Sequence, residues 1–211
     1  MDVHEIVSAV ETERLGLAED LDGLTAQDWT APSLCAGWTT QDVVAHLTLA
    51  TRLSPVAAVL GVVRARGDIN TMIGDSARRR SGEYAPAALV AQLRATAGSA
   101  KRPLGTRPPD PLVDVLVHGQ DVLRPVGRTR AMPPERVGPA LDHVFASTFY
   151  GAAKRWAGLR LVATDREWAH GEGPEVRGPS GELLLIATGR PAGLEALSGP
   201  GLDQARARLT P

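Results

Sequence analysis

Asp114 and His118 stand four residues apart in the segment DPLVDVLVHGQDVL, and Asp121 follows three residues later. On a helix that spacing stacks a carboxylate and an imidazole one turn apart on one face, so both can point at a single divalent cation. A helical wheel also states the opposing case. Leu112, Val115, Leu116, Val122 and Leu123 form an apolar face, and the Asp114–His118–Asp121 arc lies opposite, where solvent would be. Val113 and Val117 extend the apolar surface and leave the polar stripe narrow, which suits a wet cavity inside a bundle. The pattern alone divides evenly between a solvated stripe and a site.

His46 lies on the most apolar arc of an earlier segment, between Ala50 and Leu53 with Val43 close by. An imidazole taken out of water costs free energy unless both ring nitrogens find partners. A core histidine bonded to a neighbouring helix is the plainer reading; a metal ligand is the sharper one. Asp42 precedes His46 by the same four residues and competes with Asp114 as the carboxylate. Its place three residues after Thr39 fits a capping box, where its charge also meets the positive helix end. Asp42 is therefore kept as an outer partner of the site. Cys35 lies just before a helix start, as a reactive thiol can. Between Leu34 and Ala36 in a Pro/Gly loop it reads more simply as a small buried apolar residue. His4, His143 and His170 have no partner at metal-ligand spacing, and no phosphate-cradling glycine motif sits in a strand-to-helix context.

The chain that must position these groups has 211 residues, a formal net charge of -1, 43% hydrophobic and 22% charged residues. That composition supports an ordinary globular core and gives no global field to recruit nucleic acid or an anionic membrane. The single cysteine excludes an internal disulfide and a thiolate-rich zinc site. The N-terminal stretch is acidic and amphipathic, with no leader pattern, and no window reaches the ~18 apolar residues a spanning helix needs. A cytoplasmic protein, monomeric or homodimeric, is expected. The Arg78-Arg79-Arg80 run is expected in a solvated loop.

Periodicity predicts a helix over 2–21, a structured loop over 29–37, and a helix from Thr39 to about Ser54, kinked or continued at Pro55. Residues 64–83 read as a long polar connection. Further helices are expected at 86–97 and 110–123, the latter stopped by Pro125 and Gly127. Beyond Arg130, one helix is expected over 133–156, strands at GLRLVATD and PEVRG around a turn-rich HGEGP, a helix at SGELLLIATG, and a closing segment over 203–209. The expected organisation is a four-helix domain over 1–130 and a small α+β domain over 131–211.

Three stretches occur together and in order: WTAPSLCAGWTTQDVVAHL, DVLVHGQDVLRPVG and LRLVATDREWAHGEGPEVRGPSGELLLIATGR. On these the chain resembles the actinobacterial mycothiol-dependent maleylpyruvate isomerase family, least clearly over 55–105. The resemblance implies a mainly α protein: a DinB-like four-helix bundle followed by a small sterol-carrier-like α+β domain. It also implies a metal, usually zinc, held by His46, Asp114 and His118. Asp stands at 114 where the isomerase is associated with Glu, one methylene longer, so the ion would sit closer to the helix that carries Asp114 and His118 or be held less well.

A cation held by two neutral imidazoles and one carboxylate keeps an open position and net positive charge, and a thiol entering there loses its proton. The implied function is a metal- and mycothiol-dependent isomerase or S-transferase acting on a small electrophile. Arg124 and Arg190 are the candidate cationic anchors for an anionic substrate. Two alternatives stay open: a hydrolase on the same scaffold in which the cation activates water, and a non-catalytic metal-binding or regulatory protein.

Overall fold

The computed structural model describes every residue except 53, 104, 210 and 211, so the Leu53 flank of the His46 arc lies outside the described residues. The chain divides into two compact units, Met1–Arg130 and Ala131–Pro211. The first holds α1 (Val3–Asp22), α2 (Ala26–Thr30), α3 (Thr40–Arg52), α4 (Pro55–Arg64), α5 (Ile69–Glu83), α6 (Pro86–Ala95) and α7 (Asp110–Leu123). The second holds α8 (Pro134–Ala146), α9 (Ala152–Arg155), β1 (Arg160–Ala163), β2 (Ala169–His170), β3 (Glu175–Gly178), α10 (Ser180–Ala187) and α11 (Leu202–Leu209). The protein is mainly helical with a small sheet, the expected class. Among the described residues no helix is long and apolar enough to cross a membrane.

Four helices of the first unit close a ring: α1 packs on α6 and α7, and α3 packs on the same two. Leu17, Ala18 and Leu21 of α1, Val43, Val44 and Leu47 of α3, Leu89 and Leu93 of α6, and Val115 and Val122 of α7 meet in its core. The ends of the ring are fixed by local chemistry. Asp2 accepts from the Glu5 amide while the Glu5 side chain accepts from that of Asp2, a complete capping box that starts α1. Arg130 closes the unit against α1, pairing with Glu13 at 2.8 Å and Asp20 at 2.5 Å.

The polar connection expected over 64–83 is instead largely α5, a 15-residue helix capped by Asp68, whose carboxylate accepts from the amides of Asn70 and Thr71. Apolar periodicity misses it because its buried positions are Met72, Gly74, Ser76 and Ala77. Small residues let a helix approach closely without an apolar stripe. The arginine run sits on this helix rather than in a loop. Arg80 donates to Thr48 Oγ1 at 2.7 Å and lies 4.6 Å over the Tyr84 ring, so it is a packing residue. Likewise α3 ends at Arg52 and a separate helix begins at Pro55. Part of the loop expected at 29–37 is helical, with Thr25 and Asp28 forming the capping box of α2.

In the second unit the single helix expected over 133–156 is broken. α8 ends at Ala146 and α9 restarts after Gly151, whose φ of 64° is left-handed. Strand β1 pairs antiparallel with β2 (Leu161 opposite His170) and parallel with β3 (Leu161 opposite Val176), giving the order β2-β1-β3. The two-residue β2 falls in what the sequence shows as a turn. The turn that follows it demands glycine: Gly173 has φ +121°, and a Cβ there would lie 2.4 Å from the Gly158 carbonyl oxygen. Helix α10 packs on α8 and β1, with Leu183 to Ala187 wholly buried. Its first amide and the Ser180 hydroxyl donate to the Asp165 carboxylate, each at 3.0 Å.

Candidate metal centre

Helix α7 is buried nearly all round: Leu112, Val113, Val115, Leu116, Val117, Gly119 and Gln120 through Leu123 are inside, and Asp114 and His118 are half-buried. The arc that the wheel set opposite the apolar face therefore does not face bulk water. His46 of α3 comes to the same place. His46, Asp114 and His118 each offer a ligand atom, and these atoms all lie within 4.8 Å of one another. The two imidazoles meet edge to face, with centroids 5.0 Å apart and planes at 77°. Two nitrogens and one carboxylate oxygen form a donor set that suits zinc and leaves room for a fourth ligand.

The local sequence explains this convergence. Each histidine sits in the second turn of its helix or later, clear of the unpaired amides at the helix start. Asp42, the competing carboxylate, is drawn elsewhere. Its Oδ2 accepts from the Thr39 amide and hydroxyl, both at 2.9 Å, and its Oδ1 accepts from Ser81 Oγ. Burial pushes the Asp42 carboxyl up, but the bonds from Ser81 and Thr39 outweigh this and hold it below its ordinary value. Asp42 is a helix cap tied to α5.

Asp121 is fully buried and accepts from His118 Nδ1 at 2.8 Å. Cys35 Sγ donates to the same carboxylate oxygen at 3.1 Å and lies 3.7 Å from Nδ1. The Leu34 amide donates to the Asp121 carbonyl at 3.0 Å, which ties the Cys35 loop to α7. Burial by itself pushes the His118 imidazole down. The hydrogen bond to Asp121, the Cys35 contact and the charge of Asp121 outweigh it and raise His118 to about 10. Cys35 thus corrects the plain reading: it packs against the bundle core, but its thiol is part of a polar cluster on His118. Asp121 carried a readable signal, three residues past His118 on the same arc; Cys35 carried only its place before a helix start, which does not point to His118.

Two further neighbours escaped sequence reasoning. Trp38, from the loop before α3, lies beside His46, with ring centroids 5.6 Å apart and planes at 67°. Arg14 of α1 is buried, donating to the carbonyls of Thr96 and Ala97 at 3.2 Å each. Burial lowers its pKa, and the negative charge of Asp114 acts in the opposite sense. Of the two candidate anchors, Arg124 follows α7 directly and donates from Nε to Gln120 Oε1 at 2.8 Å. Arg190 belongs to the second unit, beyond α10, and donates to the Thr188 carbonyl at 2.7 Å.

The family model for the mycothiol maleylpyruvate isomerase N-terminal domain matches residues 10–133, which include all three candidate ligands. A crystal structure of the mycothiol-dependent maleylpyruvate isomerase is similar in fold, with a TM-score of 0.64 and 14% identity over 95% of this chain and 93% of that one. A crystal structure of a histidine-to-alanine mutant of that isomerase matches at a TM-score of 0.58 with the same identity and coverage. No curated protein sequence matches the chain.

Proposed function

The chain belongs to the mycothiol maleylpyruvate isomerase N-terminal domain family, a family of enzymes, and from that membership we propose a thiol-dependent isomerase or S-transferase built on His46, Asp114 and His118. The observation that carries the reading is the convergence of those three ligand atoms within 4.8 Å. His46, Asp114 and His118 would hold a divalent cation, zinc in this reading, which would supply an open position and stabilise a low-molecular-weight thiol there as its thiolate near neutral pH. Mycothiol is the proposed thiol.

The protein's own groups prepare that position. Bound through their neutral rings, His46 and His118 would bring no charge of their own, and Asp114 would offset only one positive charge, so the site would stay cationic enough to hold a thiolate. Trp38 against His46 keeps one flank apolar, where a charged sulfur interacts strongly with its counter-charge. The thiolate sulfur forms a bond to an electrophilic carbon of the substrate. In isomerisation the adduct turns about the former double bond and expels the thiolate, so nothing is consumed. In S-transfer the adduct takes up a proton and leaves as the conjugate. Arg124, directly after α7, is the proposed anchor for an anionic substrate.

The test is a thiol titration of the cobalt-substituted protein, coupled to assays with maleylpyruvate and with a simple electrophile. A thiolate-to-cobalt charge-transfer band appearing with mycothiol, and turnover that requires it, are expected. A spectrum unmoved by saturating thiol sinks the thiol reading and favours water activation at the same ligands.

A further inference from the structure

Cys35, Asp121 and His118 form a second cluster of ligand-type atoms that shares His118 with the first. Taken as a metal site of its own, it would need its three donors spread around an ion. Donors about 2.0–2.3 Å from a tetrahedral zinc lie roughly 3.3–3.6 Å from one another. Here the Asp121-to-His118 edge is 2.8 Å and the Cys35-to-Asp121 edge is 3.1 Å. Both are hydrogen-bond lengths, shorter than a coordination polyhedron allows. The cluster is a hydrogen-bonded unit around His118 Nδ1, with no room made for an ion.

That arrangement has a consequence for the other ring nitrogen. An ionised carboxylate only accepts, so the hydrogen between His118 and Asp121 belongs to Nδ1. With Nδ1 carrying the hydrogen, the neutral ring presents its lone pair at Nε2, the tautomer a metal requires at that atom. The carboxylate is itself held: Cys35 donates to the oxygen that His118 uses, and the Leu34 amide fixes the Asp121 backbone. Because Asp121 is fully buried, no water competes for that oxygen as it would on a surface.

We propose that Asp121 and Cys35 are positioning residues for the metal centre, fixing the tautomer and orientation of His118 through Nδ1 so that Nε2 is offered to the cation. This rests on His46, Asp114 and His118 being the ligands. Asp121 makes the ring a better donor, and Cys35 keeps the Asp121 carboxylate aimed. Neither touches the cation.

The experiment measures zinc affinity by chelator competition, and the cobalt spectrum without added thiol, for the parent and for D121N, C35S, C35A and H46A. D121N is expected to weaken zinc binding by about 10–100-fold, the range for outer partners of metal-bound histidine, while its folded circular dichroism is kept. C35S, whose hydroxyl still donates, is expected to stay within about twofold of the parent, with C35A weaker than C35S. Should D121N not fold, the ordering of C35A and C35S carries the test. D121N binding zinc as the parent does, or C35A matching C35S, overturns the proposal. A sulfur-to-cobalt band in the thiol-free parent that C35S removes also overturns it, since Cys35 would then be a ligand. H46A separates this from the underlying reading. If H46A loses zinc while D121N keeps it, only the positioning role fails; if both keep it, the metal site itself fails.

Discussion

Two helices of the first unit carry an aspartate four residues before a histidine, Asp42–His46 on α3 and Asp114–His118 on α7. On α3 the aspartate lies in the first turn, where unpaired amides and the positive helix end claim it; its oxygens go to Thr39 and Ser81. On α7 the first-turn position belongs to Asp110, whose carboxylate accepts from the Arg107 amide at 2.6 Å. Asp114 lies a full turn further in, beyond the reach of the unpaired amides, and lands beside His46 and His118. Identical spacing thus serves two purposes. Distance from the helix start decides which aspartate is held by the backbone and which reaches a partner helix.

The largest effect should come from attacking the α7 pair directly. His118→Ala removes the residue that both clusters share and should weaken zinc binding by more than about 100-fold, past the range of an outer partner. Asp114→Ala should do nearly as much. Competition with a chromophoric chelator measures both, alongside a melting curve of the zinc-loaded protein. Retention of stoichiometric zinc by His118→Ala would erase the distinction between the two pairs.

A second effect follows from the raised His118. An imidazole held up at about 10 keeps an extra proton through the neutral range, and a cation at the ring must displace it. Zinc affinity should therefore rise with pH by about tenfold per unit between roughly pH 7 and 9, and flatten as the pH nears 10. The sign is fixed by competition: more protons mean weaker metal. A flat profile over that window would show that the His118 ring does not hold the competing proton on Nε2 through the neutral range.

The comparison also explains how much was legible in the residues. The α7 boundaries are plain in sequence because Pro109 and Pro111 open the helix, Pro125 closes it, and its apolar face repeats at helical period. Asp42 was readable as a cap because Thr39 stands three residues before it. The sense of the Asp114–His118 stripe was not readable. A wheel ranks faces by polarity, whereas this helix is buried on its polar face too, by neighbours distant in sequence. The same limit hid α5, whose contacts with α3 are made by small and polar side chains, and Cys35, which meets Asp121 across 86 residues of chain.

The smallest effect tests the other half of the comparison. Asp42→Ala removes the capping box of α3 and the bond from Ser81, and should cost about 1 kcal/mol of stability, a drop in melting temperature of roughly 2–4 °C. Zinc affinity should stay within about twofold of the parent, because His46 keeps its place on a helix anchored by Val43, Val44 and Leu47 in the core. The Asp42 carboxyl is held below its ordinary 3.8 in the folded chain, so its contribution is present above that pH and fades as the pH falls through the folded value. The parent and the variant should accordingly differ most near neutrality and converge on acidification below about pH 4. A variant that instead loses zinc while melting as the parent does would make Asp42 a member of the metal centre, and the two aspartate–histidine pairs would then share one use.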